Sequence, residues 1–278
     1  MIIKGVRSID KTYKTSEVAK LIGIHSNTVR MYEDLGLISK PSRKDNGYRV
    51  FTDLHIYQFK LARKAFEVEV LQNGLRKKAI AIVKMSAKQD FDEAIVLTKE
   101  YIKSIKKEID NANEAVDIAG KLMNRLNYEK DFNLKRKEAS ELLGISMDTL
   151  RNWEMNGLVN IKRKKNGYRI YTYEDIQRLK VIRSLRCGNY SLSAILRMLN
   201  KLSEHNEADI NEVLNSPNEN EDIISVCDKL IISLNLAIQN AEEILEMLYE
   251  MKRKYSNPPL NTILLFGVII FTSNKRRI

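Results

Sequence analysis

The sequence predicts a mainly α chain: two winged helix-turn-helix domains, each followed by a long coiled-coil helix, with the two long helices pairing as an antiparallel coiled coil. Three observations lead there. The stretch TVRMYEDLGL at 28–37 returns as TLRNWEMNGL at 149–158, and each copy is trailed by a basic run and an aromatic–arginine signature, Asn46-Gly47-Tyr48-Arg49-Val50-Phe51-Thr52 and Asn166-Gly167-Tyr168-Arg169-Ile170-Tyr171-Thr172. Two later segments carry apolar residues at alternating steps of three and four, the signature of a helical seam. Only 4 Pro and 11 Gly occur in 278 residues, too few for a turn-rich sandwich or barrel.

The elements follow in chain order. Residues 1–13 carry little pattern and read as a loose arm. From Thr15, a short helix turns Val18, Ala19, Leu21 and Ile22 inward, with Thr15 as N-cap and Gly23 as the sharp turn. Ile24 plugs the core, Ser26 or Asn27 caps a second helix to Leu35, and Gly36 stops it. Two short helices about a glycine turn are the helix-turn-helix layout. The second copy repeats it with Lys137 to Ile145, then Met147 to Met155, then Gly157.

After each second helix comes a wing. Leu37-Ile38 and Tyr48 to Phe51 are expected as its strands in the first copy, with Arg43, Lys44 and Asp45-Asn46-Gly47 at the tip. Asn-Gly between such runs is a strong hairpin signal. The second tip is more basic, Lys162-Arg163-Lys164-Lys165. Thr52-Asp53 and Thr172 to Asp175 then open new helices as caps with acids in the first turn. Phe59, Leu61, Ala62 and Phe66, and in copy two Ile176, Leu179, Ile182 and Leu185, pack those helices back on their unit.

The expected seams are Ile102, Ile105, Ile109, Ala112, Val116, Ala119, Met123, Leu126 and Ile224, Cys227, Ile231, Leu234, Ile238, Ala241, Leu245, Leu248. They are offset by 122 residues at both ends, so the repeat is about 120 residues long. Residues 127–133 link the copies, and 203–222, rich in Asn, Glu and Asp, read as a loose polar loop. Asn257-Pro258-Pro259 ends the last helix. The apolar run Leu260 to Thr272 is shorter than the ~20 residues a membrane-spanning helix needs, so no membrane is expected as a partner. The domains expected are therefore 1–91 (winged helix), 92–133 (long helix and linker), 134–202 (winged helix), 203–256 (loop and long helix) and 257–278 (apolar tail of unknown role).

The order T-[VL]-R-x-[YW]-E-x-x-G-L, then N-G-Y-R-[VI]-[FY]-T, then a long helix, resembles the MerR family of bacterial transcription regulators, over roughly 13–75 and 134–200. The resemblance implies that the second helix of each unit enters the major groove of double-stranded DNA while the wing grips the flanking backbone. It also implies dimers through an antiparallel helix pair, DNA distortion between promoter elements, and RNA polymerase at the promoter as a protein partner. Two departures stand out: the family usually has one unit per chain, and Met31 and Asn152 stand where a tyrosine is frequent.

Composition agrees with a polyanionic partner: 47 Lys plus Arg against 36 Asp plus Glu leave a net charge of +11. Arg30 and Arg151 on the recognition helices, beside Asn27, Thr28, Asp148 and Thr149, are candidates for phosphates or a guanine edge. Their competing assignment is a surface pair with Glu33 or Glu154. Arg43, Lys44, Lys162, Arg163 and Lys164 are wing-tip candidates for phosphate, against a solvated basic loop. Tyr32 and Trp153 either tie the helix to the wing as buried aromatics or reach a phosphate; Arg49 and Arg169 either contact phosphate or brace the unit. Tyr48 and Tyr168 are expected to shape the wing, and Thr15 and Lys137 complete the DNA-binding set.

No catalytic residues, metal ligands or cofactor are expected. His25, His55 and His205 are scattered, no phosphate-binding loop or nucleophile elbow is present, and Cys187 and Cys227 stand far apart. Met1 to Thr15 is polar rather than signal-like, and two cysteines suit a reducing cytoplasm. One chain with two units and two seams in register points to an intramolecular pseudo-dimer reading an imperfect palindrome, with a homodimer through the coiled coil as its rival. A seam of 25 residues is about 37 Å at ~1.5 Å per residue, against the ~34–36 Å between successive major-groove faces. The alternatives from other classes are a phage or mobile-element DNA-bending accessory factor and a coiled-coil adaptor.

Overall fold

The computed structural model describes residues 11–68, 72–123, 133–163, 167–204 and 223–256. The expected loop beyond Glu204, the apolar tail, Leu126, Lys164 and most of the linker lie outside them. The chain forms two compact units that do not follow the sequence in two blocks. One comprises residues 1–67, 77–102 and 239–278, the other 68–76 and 103–238.

In the first unit, β1 (Thr12–Tyr13) precedes α1 (Thr15–Ile22) and α2 (Ser26–Asp34), then β2 (Ser42–Arg43), β3 (Arg49–Thr52) and α3 (Asp53–Ala65). Gly23 makes the turn between α1 and α2 at φ 71°. The sheet order is β1-β3-β2, antiparallel, with Tyr13 opposite Phe51 and Arg43 opposite Arg49. Thr12 and Tyr13 are therefore a strand, not part of a loose arm. The wing pairs Ser42–Arg43 with β3 in place of Leu37-Ile38. Leu37 and Ile38 are buried instead, because they follow directly on the end of α2 and drop into the core.

The end of α2 explains the recurring G-L. Gly36 sits at φ 65°, its N–H donates to Glu33 O at 3.0 Å, and the Leu37 N–H donates to Tyr32 O at 2.8 Å. This is a Schellman stop, in which the left-handed glycine lets the next apolar residue fold onto the helix's last turn. Tyr32 in turn stacks on Phe59, ring centroids 5.3 Å apart.

Two helix starts differ from expectation. The residue before α1 is Lys14, extended, whose N–H is received by the Glu17 carboxylate at 2.6 Å, so Thr15 is the first helical residue. His25 caps α2, its Nδ1 accepting from Asn27 N at 3.2 Å, so neither Ser26 nor Asn27 is the cap. Leu21 is also corrected: it is 56% exposed. Val18, Ala19 and Ile22 lie within about 100° of one another at 100° per residue, and Leu21 falls well outside that arc.

Most of α4 (Leu75–Ala87), the start of α5 (Phe91–Met123) and the end of α10 (Ile223–Tyr255) complete this unit. Buried Gln58 is satisfied on both sides, accepting from Ser39 N and Oγ at 2.8 and 2.9 Å and donating to Ser86 O at 2.9 Å. Here the first turns of α5 lie against the last turns of α10. Asp92 pairs with Lys252, and Lys99 sits over the Tyr249 ring. Tyr57 and Lys64 of α3 bind Glu250 (2.5 Å) and Glu243 (3.0 Å) of α10.

The second unit repeats the plan with β4 (Asn133–Leu134), α6 (Arg136–Leu143), α7 (Met147–Met155), β5 (Tyr171–Thr172), α8 (Tyr173–Cys187) and α9 (Leu192–Glu204). Leu134 stands opposite Tyr171. Gly157 N and Leu158 N reproduce the helix stop on Glu154 O and Trp153 O, at 3.0 and 3.1 Å. Ser146 caps α7, and Thr172 caps α8 in a reciprocal box with Asp175. One apolar cluster unites Leu150, Trp153, Leu158, Tyr171 and Ile182 with Ala115, Ala119, Ile223 and Cys227. In this unit the last turns of α5 thus lie against the first turns of α10.

Half of each expected seam is buried as expected, Ile105, Ala112 and Ala119 on α5 and Cys227, Leu234, Ala241 and Leu248 on α10, while the alternate positions are shifted by one residue. Along α5 the buried residues run Phe91, Ala94, Ile95, Thr98, Tyr101 in the first unit and Ile105, Glu108, Ala112, Ala115, Ile118, Ala119 in the second. Ile102, Ile109 and Val116 are only half-buried. Thr98 and Glu108 hid this phase because they are polar, yet both are satisfied: the Thr98 hydroxyl donates to Ala94 O at 2.7 Å, and Glu108 takes Arg183. On α10 the buried set is Ile223, Val226, Cys227, Leu230, Leu234, Ala237 and then Asn240, Ala241, Ile244, Leu248, Met251. By length and composition alone α10 could cross a membrane, with a window of mean hydropathy 1.3. Of that window 39% is buried in the protein, Cys227, Leu230 and Leu234 among it, whereas Ile232 and Leu236 are exposed.

Candidate nucleic-acid interface

Each reading head is a short helix stopped by glycine, with a wing fixed to it by a carboxylate. Glu33 of α2 holds Arg49 of β3 in a tight ion pair and also receives Arg43 at 3.5 Å. Glu154 of α7 holds the Arg169 Nε at 2.8 and 2.5 Å to its two oxygens, with Arg163 at 3.8 Å and Arg136 at 3.7 Å. The glutamates that competed for Arg30 and Arg151 are thus occupied by wing arginines.

Arg30 and Arg151 lie exposed on α2 and α7. The Arg30 guanidinium donates to Asn27 Oδ1 at 3.1 Å, which holds both side chains on the outward face. Asp148 and Asn152 are exposed on the matching face of α7, while Thr28 and Thr149 are half-buried. The Asn152 Oδ1 accepts from Asn156 at 2.7 Å.

Of the residues left with two readings, Tyr32 and Trp153 are buried at 5% and 4% exposure, the tie rather than an outward contact. Arg49 and Arg169 take the bracing position. Tyr48 and Tyr168 are 71% exposed in both copies, so they project from the wing rather than shape it from within. Lys44, Lys162 and Arg163 are exposed, and Arg43 donates to Gly47 O at 3.3 Å across the turn. Gly47 and Gly167 both sit at φ 79°. Lys137 is exposed with Glu141 3.9 Å away, and Thr15 is half-buried at the start of α1. Arg136, at the position of Thr15 in the second copy, was missed; the signal available was a basic residue at a repeat position where the first copy has none.

Behind α7 in the second unit, the Arg183 guanidinium clasps the Glu108 carboxylate at 2.8 and 2.7 Å and donates from Nε to Leu143 O at 2.7 Å. Asn73 and Asn111 each add a donor to Glu108 at 3.3 Å. Burial raises the Glu108 carboxyl, but Arg183 with the two asparagines outweighs it and leaves the group below the usual carboxylate value. Beside it, burial pushes the Cys187 thiol up to about 12. A cavity of about 460 Å³ opens along α7, lined by Asp148, Thr149, Asn152, Arg186 and Gln72 among others. Among the described residues no group of His, Cys, Asp and Glu is arranged to hold a metal ion.

A glycine-turned helix pair with an exposed arginine on its second helix and a wing locked to it defines a winged helix-turn-helix protein, here doubled. The profile of the MerR HTH family regulatory proteins matches residues 134–202, and that of the MerR family regulatory proteins matches 14–51. The HTH-type transcriptional regulator CueR of Escherichia coli O6:H1 is 43% identical over 53 residues, 19% of this chain and 39% of that regulator. CueR of Yersinia pestis is 45% identical over 53 residues, 19% of this chain and 38% of its own length. The HTH-type transcriptional repressor CarH of Myxococcus xanthus is 33% identical over 73 residues, 26% of this chain and 24% of the repressor. The chain therefore spans about two fifths of the CueR relatives it matches. No solved structure matches. Both domains of this chain are MerR-family helix-turn-helix domains.

Proposed function

We propose that the chain is a sequence-specific double-stranded DNA-binding transcription regulator. Its two MerR-type domains read the halves of an imperfect palindrome, α2 and α7 in the major groove and the wings on the flanking backbone. The observation that carries this is the repeated division of labour among arginines: Glu33 and Glu154 take wing arginines, which leaves Arg30 and Arg151 facing solvent on both recognition helices. Asn27, Arg30 and Arg151 are assigned to base edges or adjacent phosphates, and Asp148, which only accepts, to a base-edge donor. Arg43, Lys44, Tyr48, Lys162, Arg163, Lys164 and Tyr168 are assigned to the backbone. Asn27 against Asp148 makes the half-sites unequal, since an amide offers donors that a carboxylate lacks.

The two domains belong to one polypeptide, and a single chain supplies both long helices. The start of α5 meets the end of α10 in one unit and the reverse holds in the other, which supports antiparallel pairing inside one molecule. RNA polymerase at a promoter is the expected protein partner. Sedimentation tests the assembly: a single-chain clamp sediments near 32.2 kDa when free and at that mass plus one duplex when bound, and a protein mass of twice that value refutes it. Selection of bound sequences tests the reading. Two related but unequal half-sites are expected, and a perfectly symmetric site, or no preference at all, overturns the proposal.

A further inference from the structure

The two units do not offer the same surface to a polyanion. In the first, Glu33 faces two arginines, Arg43 and Arg49. In the second, Glu154 faces three, because Arg136 opens α6 where Thr15 opens α1. One carboxylate cannot satisfy three guanidiniums. Arg169 takes both oxygens within hydrogen-bond distance, while Arg163 and Arg136 stand at 3.8 and 3.7 Å. The Arg136 Nε and Nη2 are withdrawn from solvent and have no hydrogen-bond partner among the described residues, while the side chain as a whole is 28% exposed and open to an acceptor from solvent. Donors buried in this way cost free energy until an acceptor arrives. The surplus charge lies where the start of α6, the recognition helix and the wing meet.

We propose that this cluster is an anion site taking a backbone phosphate of DNA, with Arg136 as its anchoring donor, and that the first unit has no equivalent. The second unit therefore holds the duplex backbone more tightly, and the clamp is unequal in grip as well as in sequence. A guanidinium suits this task because its planar fork can donate twice to phosphate oxygens. The proposal rests on the DNA-binding reading above.

The test is the salt dependence of DNA affinity in the full chain and in Arg136→Thr and Arg136→Lys. A lost phosphate contact weakens all sequences alike and makes the slope of log affinity against log salt shallower by about 1. Arg136→Thr, which copies the first unit, is expected to do both, and Arg136→Lys, which keeps the charge, to retain the slope. A role confined to bracing Glu154 would lower the melting temperature and leave the slope unchanged. An unchanged slope in Arg136→Thr, or an equal loss in Arg136→Lys, overturns the phosphate site while leaving DNA binding intact. Protection against melting by inorganic phosphate in wild type but not Arg136→Thr, with equal DNA slopes, would assign the site to a free anion and overturn it too. Absence of DNA binding by the wild type would remove the underlying reading as well.

Discussion

Replacing Arg183 by Met should cost the second unit about 3–5 kcal/mol, the penalty for leaving a buried charge without its partner. Both Glu108 and Arg183 are 7% exposed, and the carboxylate accepts two bonds from Arg183 against one each from Asn73 and Asn111. The asparagines stand at 3.3 Å and carry no charge, so they cannot replace the guanidinium. Trp153 is the single tryptophan and lies in the second unit's core, so its fluorescence during urea unfolding reports that unit. The sign of the pH dependence is also fixed. In the wild type Glu108 is held low, so its contribution is present above the ordinary carboxylate pKa of about 4.3 and is lost as pH falls through the lower folded value. In Arg183→Met the unpartnered carboxyl titrates above its unfolded value. The deficit should then be full at pH 7 and shrink toward pH 5 as the group takes up a proton. Glu108→Leu combined with Arg183→Met should cost less than either change alone. Single-variant costs below about 1 kcal/mol, typical of solvent-screened surface pairs, or a deficit that does not depend on pH, would refute the argument.

Other outcomes follow from the same geometry. Gly36→Ala and Gly157→Ala should each cost about 1–2 kcal/mol in urea denaturation, because the left-handed φ is strained for alanine although nothing lies within 4 Å of the added carbon; Asn at either site should cost less. Cys187, buried with its thiol pushed up to about 12, should resist iodoacetamide at pH 8 in the native chain and react only as the protein unfolds. Tyr48→Ala and Tyr168→Ala should change stability by less than about 0.5 kcal/mol, since both rings are 71% exposed, and should weaken DNA binding in a gel shift.

The reading heads were legible because each motif residue answers to a local cause. Tyr32 or Trp153, the left-handed glycine and the following leucine form one helix stop, and a pattern set by backbone geometry survives duplication. The glutamate between them was legible as a repeat but not as a wing anchor, since its arginine partner lies 15–16 residues away across a turn. In the seams one position of each pair was legible and the other fell one residue off, for the opposite reason. A periodicity argument discards Glu108 and Thr98 as polar, and only a partner 75 residues distant makes Glu108 a core residue. Strand β1 escaped notice because two residues carry no period; its pairing with β3 defines it. Leu21 is apolar yet exposed, because at 100° per residue it falls outside the arc that Val18, Ala19 and Ile22 turn to the core.

Tyr57 meets Glu250 across 193 residues of sequence. At translation speeds of about 5–20 residues per second, those groups are born roughly ten to forty seconds apart. The head of the first unit thus waits for α10 before this scaffold closes. A ribosome that stops before Glu250 releases a polypeptide whose first unit lacks this brace, so synthesis through α10 is a condition for a finished first unit.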